Sequence, residues 1–199
     1  MNLVLATHNQ GKLKEFQALI NQTTKLNWLN IELAPGDFNP EETGLTFFEN
    51  ALIKAKATAQ LTHKYALSDD SGLCVDALDG QPGIYSARYS KGDARNGCLK
   101  LLADLKDIPD NKRGAAYHCV MTLVSPQREL LCQAEGIWQG RIINEMRGHG
   151  GFGYDPIFFL DTHNKTVAEL DLPEKNKLSH RAQAWYKIQQ YLIENQQKF

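Results

Sequence analysis

Two long apolar runs, 115–124 and 129–138, are separated only by Ser125-Pro126-Gln127-Arg128, and no other feature constrains this chain as tightly. Each run is long enough to span a sheet, and so short a polar connector must return the second beside the first as a β-hairpin. The chain begins differently. Leu3 to Ala6 reads as a buried strand, and Gly11 to Ile20 as the helix that follows it. Strand–helix alternation early and a hairpin late predict an α/β fold around a mixed sheet.

Thr46 with Glu49 has the spacing of a capping box ahead of a long helix through Ala59, whose apolar face is Phe48, Leu52, Ala55 and Ala59. Lys54 and Lys56 lie on the same Ala-rich pattern. Asp93 to Leu105 is a further helix. Ser179 is the expected N-cap of a last helix burying Trp185, Ile188 and Leu192. No repeat, low-complexity tract or linker interrupts the 199 residues, so one domain spanning 1–199 is expected.

Composition excludes several function classes. The formal net charge is −1 and the basic residues form no patch, so neither a nucleic-acid polymer nor an anionic membrane is an expected partner. No apolar run has membrane-spanning length, and Met1-Asn2-Leu3-Val4-Leu5-Ala6 turns polar too soon for a signal peptide. Cys74, Cys98, Cys119 and Cys132 form no Cys-x-x-Cys pair, which predicts reduced thiols and a cytoplasmic location.

Five polar constellations interrupt the core pattern. Ala6-Thr7-His8-Asn9-Gln10-Gly11-Lys12 leads from a strand into a helix, whose first N–H groups and Lys12 suit an anion, although the spacing is not that of a P-loop. Glu41-Glu42-Thr43-Gly44 is an acidic pair in a loop. Ser68-Asp69-Asp70-Ser71-Gly72-Leu73 follows the short apolar run Tyr65-Ala66-Leu67, and reads either as turn chemistry or as hard oxygen ligands at a strand end. Because strand side chains alternate, at most one of the two Asp residues can face a given site. A Glu from one loop and an Asp from the other suit Mg²⁺, which takes few carboxylates beside waters and phosphates.

Gly148-His149-Gly150-Gly151-Phe152-Gly153-Tyr154-Asp155-Pro156 places four glycines around two aromatic rings, permitting close backbone approach and a stacking surface. Lys175-Asn176-Lys177-Leu178-Ser179-His180-Arg181 carries basic residues into a helix N-terminus. That charge is wrong for the helix dipole, so its placement points to a ligand.

Taken together, Ala6-Thr7-x-Asn9-x-x-Lys12, Glu42-Thr43-Gly44, Asp69-Asp70-Ser71-Gly72-Leu73, Gly83-Ile84-Tyr85-Ser86-Ala87-Arg88-Tyr89, Gly151-Phe152-Gly153-Tyr154-Asp155-Pro156 and Ser179-His180-Arg181 resemble, in one order, the inosine triphosphatase family. Its members are the non-standard purine nucleoside triphosphate pyrophosphatases, also called dITP/XTP pyrophosphatases. The resemblance runs from residue 3 to about residue 190. It departs at Ser68, where Ala is expected, and at Met146, where Pro is common.

The resemblance implies an elongated mixed sheet flanked by helices, a homodimer, and Mg²⁺-dependent hydrolysis of ITP, dITP and XTP to the monophosphate and pyrophosphate. It implies Asp70 as the catalytic base, with Asp70 and Glu42 as metal ligands. Thr7, His8, Asn9, Gln10, Gly11, Lys12 and Lys175 would serve the substrate's phosphate side. Phe152, Asp155, His180 and Arg181 would serve the base, and Ser71, Gly153 and Tyr154 are further substrate-binding residues. Donors on His180 or Arg181 would donate to the C6 oxygen of hypoxanthine or xanthine and be left unpaired by the amino group of adenine.

His149 carries no assigned role, and Arg88 is open between a cleft position and a structural ion pair. A Maf-type pyrophosphatase, the nearest rival, would carry a Ser- and Arg-rich loop where this chain has Thr7-His8-Asn9. A non-catalytic nucleotide-binding protein would not require Asp70, Glu42 and Lys12 together.

Overall fold

Residues 1–7, 9–21, 24–36, 38–90 and 94–199 are described by a computed structural model. His8, expected among the substrate-binding residues, and Asp93, expected to open a helix, lie outside the described residues. The strands are β1 (Asn2–Leu5), β2 (Asn30–Leu33), β3 (Tyr65–Val75), β4 (Gly114–Val124), β5 (Leu130–Ile142), β6 (Phe158–Leu160) and β7 (Lys165–Thr166). The helices are α1 (Gln10–Asn21), α2 (Phe47–Thr62), α3 (Ala94–Asp104), α4 (Leu172–Leu178) and α5 (His180–Glu194). The strands hydrogen-bond in the order β2-β1-β3-β4-β5-β6-β7. This is the mixed α/β sheet that the sequence pattern predicts.

The chain forms two compact units. The first comprises Met1–Asp70, Cys119–Gly136 and Arg181–Phe199, and the second Ser71–His118 and Ile137–His180, so β3, β4 and β5 run through both. In the first unit β1 pairs in parallel with β2 and with β3, Leu3 standing opposite Ile31 and Tyr65. Parallel neighbours need crossovers, which α1 and α2 supply. The core here gathers Leu3, Leu5, Phe16, Leu67, Met121 and Trp185, with Phe16 and Trp185 meeting edge to face at 6.2 Å. The last helix buries Trp185, Ile188 and Leu192 as its spacing predicts. In the second unit β6 runs antiparallel to β5 and to β7. Its core is built on Leu73, Val75, Leu101, Ile142, Ile157 and Phe158.

Four expectations change. First, Asp69 and Asp70 sit neither in a turn nor at a strand end: β3 continues through them to Val75. The strand persists because Leu73 and Val75 are fully buried, while the two carboxylates find cationic and amide partners where they stand. Second, Lys175 and Lys177 do not stand at a helix N-terminus. They lie in the last turn of α4, where the dipole favours positive charge. Asp171 opens that helix by accepting the Glu174 N–H at 2.7 Å, and the helix has ended before His180 begins α5.

Third, the buried face of α2 is Asn50, Ala51, Ala55, Thr58 and Ala59, and Phe48 is only half-buried. Thr46 caps the helix as expected, its Oγ1 accepting the Glu49 N–H at 3.1 Å, but the Glu49 carboxylate reaches back to the Leu45 N–H. Fourth, the second strand of the hairpin does not end with the run 129–138: β5 continues to Ile142, and Trp138 is buried against the core of the second unit.

Candidate active site

The end of β1 feeds a short loop that α1 closes. Asn9 acts as the cap: its Oδ1 accepts the Lys12 N–H at 3.1 Å, and its own N–H donates to Thr7 Oγ1 at 3.3 Å. Thr7 is buried, Gln10 is exposed and Gly11 half-buried. The cap fixes the first turn so that Lys12 reaches Asp69, Nζ to Oδ2 at 2.8 Å. Arg181, at the start of α5, donates to the same oxygen at 3.2 Å and pairs with Glu15 on α1. Arg181 and Asp69 are each 1% exposed. Burial opposes ionisation of Asp69, but the Lys12 and Arg181 charges outweigh it and hold the carboxyl well below its usual range. Two cations therefore balance two carboxylates, Asp69 and Glu15.

Asp70 faces other partners, as strand alternation requires. Its Oδ1 receives Lys54 Nζ at 3.3 Å and its Oδ2 receives Asn50 Nδ2 at 3.3 Å. The Lys54 ammonium also donates to Glu42 at 2.6 Å. Burial raises the Asp70 carboxyl above its ordinary value, with Lys54 and Lys12 only partly offsetting it and Glu42 and Asp69 adding to the rise. Burial works against the charged form of Lys54, yet Asp70, Asp69 and Glu42 together hold its pKa above the usual lysine value. A carboxylate made more basic by burial, beside a fixed cation, is suited to accept a proton.

The second unit builds a separate constellation on the glycine-rich loop. Asp155 is its hub: Oδ2 accepts the Phe152 N–H at 2.9 Å and Lys175 Nζ at 2.6 Å, and Oδ1 accepts the Tyr117 hydroxyl at 3.2 Å. Gly151 has φ +70°, and a Cβ there would stand 2.0 Å from Asp155 Oδ2, so the loop closes on its carboxylate only with glycine. Lys175 Nζ lies 4.6 Å from the centre of the half-buried Phe152 ring. His180 is buried with its ring parallel to Tyr117 at 4.8 Å, and it also stacks on Trp138 at 6.4 Å. Tyr154 is 5% exposed and donates its hydroxyl to the Ser86 carbonyl at 2.8 Å, so its ring belongs to the wall of this unit. Gly153 offers its carbonyl to Cys98 Sγ at 3.4 Å. Ser71 is half-buried on β3, His149 is exposed, and the Arg88 guanidinium lies 5.3 Å from the Tyr85 ring centre.

Residues 3–191 match the model of the Ham1 family. The chain belongs to the Ham1 family. It is 50% identical over 198 residues to the dITP/XTP pyrophosphatase of Pseudomonas aeruginosa, covering 96% of each chain. It is 47% identical over 187 residues to the protein of the same name from Escherichia coli K12, covering 92% of this chain and 93% of that one. Among solved structures, a HAM1 protein from Coxiella burnetii superposes with a TM-score of 0.85 at 39% identity, covering 98% and 99% of the two chains.

For a Ham1 family protein the donor set around Asp70 bears directly on a metal. Glu42 and Asp70 both bond the Lys54 ammonium, so two carboxylates already converge on one cation. Among the described residues no group of three or more His, Cys, Asp or Glu is placed to hold a metal. Two hard carboxylates fit an ion such as Mg²⁺, which completes its shell from water and substrate phosphate.

Sequence reasoning missed Lys54, Asn50, Glu15 and Tyr117. The signal for the first two was present: Asn50 and Lys54 stand four apart, a polar pair on one face of an otherwise Ala-rich helix. Glu15 and Tyr117 gave none, because each finds its partner across a long stretch of chain.

Proposed function

We propose that this chain hydrolyses the triphosphates of non-standard purines, ITP, dITP and XTP, to the monophosphate and pyrophosphate. The observation that carries the reading is Asp70: a buried carboxylate of raised basicity, held by Asn50 and Lys54 beside Glu42. The names of the curated relatives support it. In the reaction, Asp70 takes a proton from water as the water oxygen bonds to phosphorus. The bridging P–O bond between the α and β phosphates breaks, and pyrophosphate leaves with the electron pair. Mg²⁺, bound by Glu42 and Asp70, would neutralise phosphate charge. Lys12, Lys54 and the first turn of α1 supply fixed positive charge and N–H donors to the phosphates.

The base is assigned to the Asp155 constellation. Phe152 is the stacking ring, and Asp155 and His180 are the hydrogen-bonding groups. An acceptor such as the Asp155 carboxylate suits the N1–H of hypoxanthine and xanthine, which adenine lacks. Arg181 is buried against Glu15 and Asp69, so its influence on base choice is assigned through the packing of α5 rather than through direct reading.

Asp70→Asn tests the reading. The amide cannot accept the proton, so kcat for ITP falls by about 10²–10⁴-fold, while binding of a non-hydrolysable ITP analogue, followed by calorimetry, stays near wild type. Retention of most of the wild-type rate would remove Asp70 from the chemistry.

We also infer a cytoplasmic homodimer. No disulfide joins any of the four cysteines, and no helix among the described residues is long and apolar enough to cross a membrane. The homodimer rests on what the family resemblance implies.

A further inference from the structure

Asn50 is fully buried in the first turn of α2, and its one amide makes two hydrogen bonds of opposite sense. Its Oδ1 accepts the Gly44 N–H at 2.8 Å, and its Nδ2 donates to Asp70 Oδ2 at 3.3 Å. Only one orientation of the amide serves both, since an N–H cannot face Nδ2 and a carboxylate cannot face Oδ1. The loop backbone reaches this amide at glycine: a Cβ on Gly44 would stand 2.7 Å from Asn50 Oδ1 and 2.6 Å from Glu49 Cβ. Gly44 lies two residues beyond Glu42. One buried side chain thus ties the Glu42 loop to Asp70.

We infer that Asn50 is a positioning residue, whose amide selects the Asp70 oxygen presented to the cation shared with Glu42. With Oδ2 held by Asn50, Oδ1 is the oxygen turned to Lys54 Nζ. Without that donor the carboxylate rotates about its Cβ–Cγ bond, and neither oxygen keeps a fixed relation to Glu42. Lys54 cannot replace the donor, because it approaches the other oxygen and is itself bonded to Glu42 at 2.6 Å. The inference rests on the role given to Asp70 above.

Two variants separate positioning from a loop tether. Asn50→Asp keeps an oxygen for the Gly44 N–H but sets a carboxylate oxygen and its charge where the donor to Asp70 stood, whereas the neutral Asn50→Ala loses both hydrogen bonds. Steady-state kinetics with ITP, thermal unfolding, and Mn²⁺ binding followed by the paramagnetic resonance of free Mn²⁺ are measured for each. Positioning predicts that Asn50→Asp, still folded, loses about 10²-fold in kcat with KM changed less than about threefold, the cost expected of a misplaced reacting group. Mn²⁺ affinity falls in Asn50→Ala, which adds no charge to the site. If Asn50→Asp matches wild type in kcat and in Mn²⁺ affinity while Asn50→Ala is only less heat-stable, Asn50 is a tether and the inference is overturned. If wild type itself does not turn over ITP, the functional reading fails instead, and the Mn²⁺ comparison alone decides the role of Asn50.

Discussion

Glu15 and Arg181 stand 166 residues apart in sequence and form an ion pair in which neither side chain is more than 3% exposed. Removing charges from water costs several kcal/mol each, and here the cost is offset within a cluster of two cations, Lys12 and Arg181, and two anions, Glu15 and Asp69. Such a cluster contributes more to uniqueness than to net stability, and it is intolerant of losing one member. Glu15→Gln leaves one positive charge uncompensated in the core of the first unit. Urea unfolding is expected to show a loss of about 3–5 kcal/mol. A loss under about 0.5 kcal/mol, the range of neutral surface changes, would mean that the cluster is not energetically coupled. The same cluster explains why Asp69 and Asp70 differ. Asp69 is held ionised by two cations, whereas burial leaves Asp70 more basic than an ordinary carboxylate.

Among elements, α1, α3, α5 and the β4–β5 hairpin were legible because their apolar spacing is long and regular. β3 was legible only to Leu67. A pair of aspartates reads locally as a stop, and the partners that let the strand continue, Lys12 from α1 and Lys54 and Asn50 from α2, are supplied by tertiary structure. The stretch from Leu172 to Arg181 failed for the opposite reason. Its run of basic residues has the pattern of one helix start, but Asp171 and Pro173 begin a separate short helix whose last turn holds Lys175 and Lys177, and His180 begins the next. The site residues found by motif are those whose neighbours in sequence are themselves unusual, such as Asp70 and Asp155. Asn50 and Lys54 were passed over because a polar residue on a helix is ordinarily solvated, and only the fold buries them.

At the scale of the whole molecule the account makes two claims about behaviour in solution. The inferred homodimer predicts a light-scattering mass of twice the chain, stable on dilution to micromolar concentration. A mass of one chain at all concentrations would contradict it. The more direct test concerns the proposed reaction, whose substrate is a purine triphosphate with an N1–H and a C6 oxygen on its base. Pyrophosphate release from ITP, XTP, GTP and ATP at equal concentration, with Mg²⁺ and again with EDTA, tests it most directly. The expected result is fast release from ITP and XTP, little from ATP, whose base lacks both groups, and none with EDTA; GTP, whose base shares both, reads any further discrimination at its C2 amino group. Equal release from ATP, or no release from any of the four, would contradict the account.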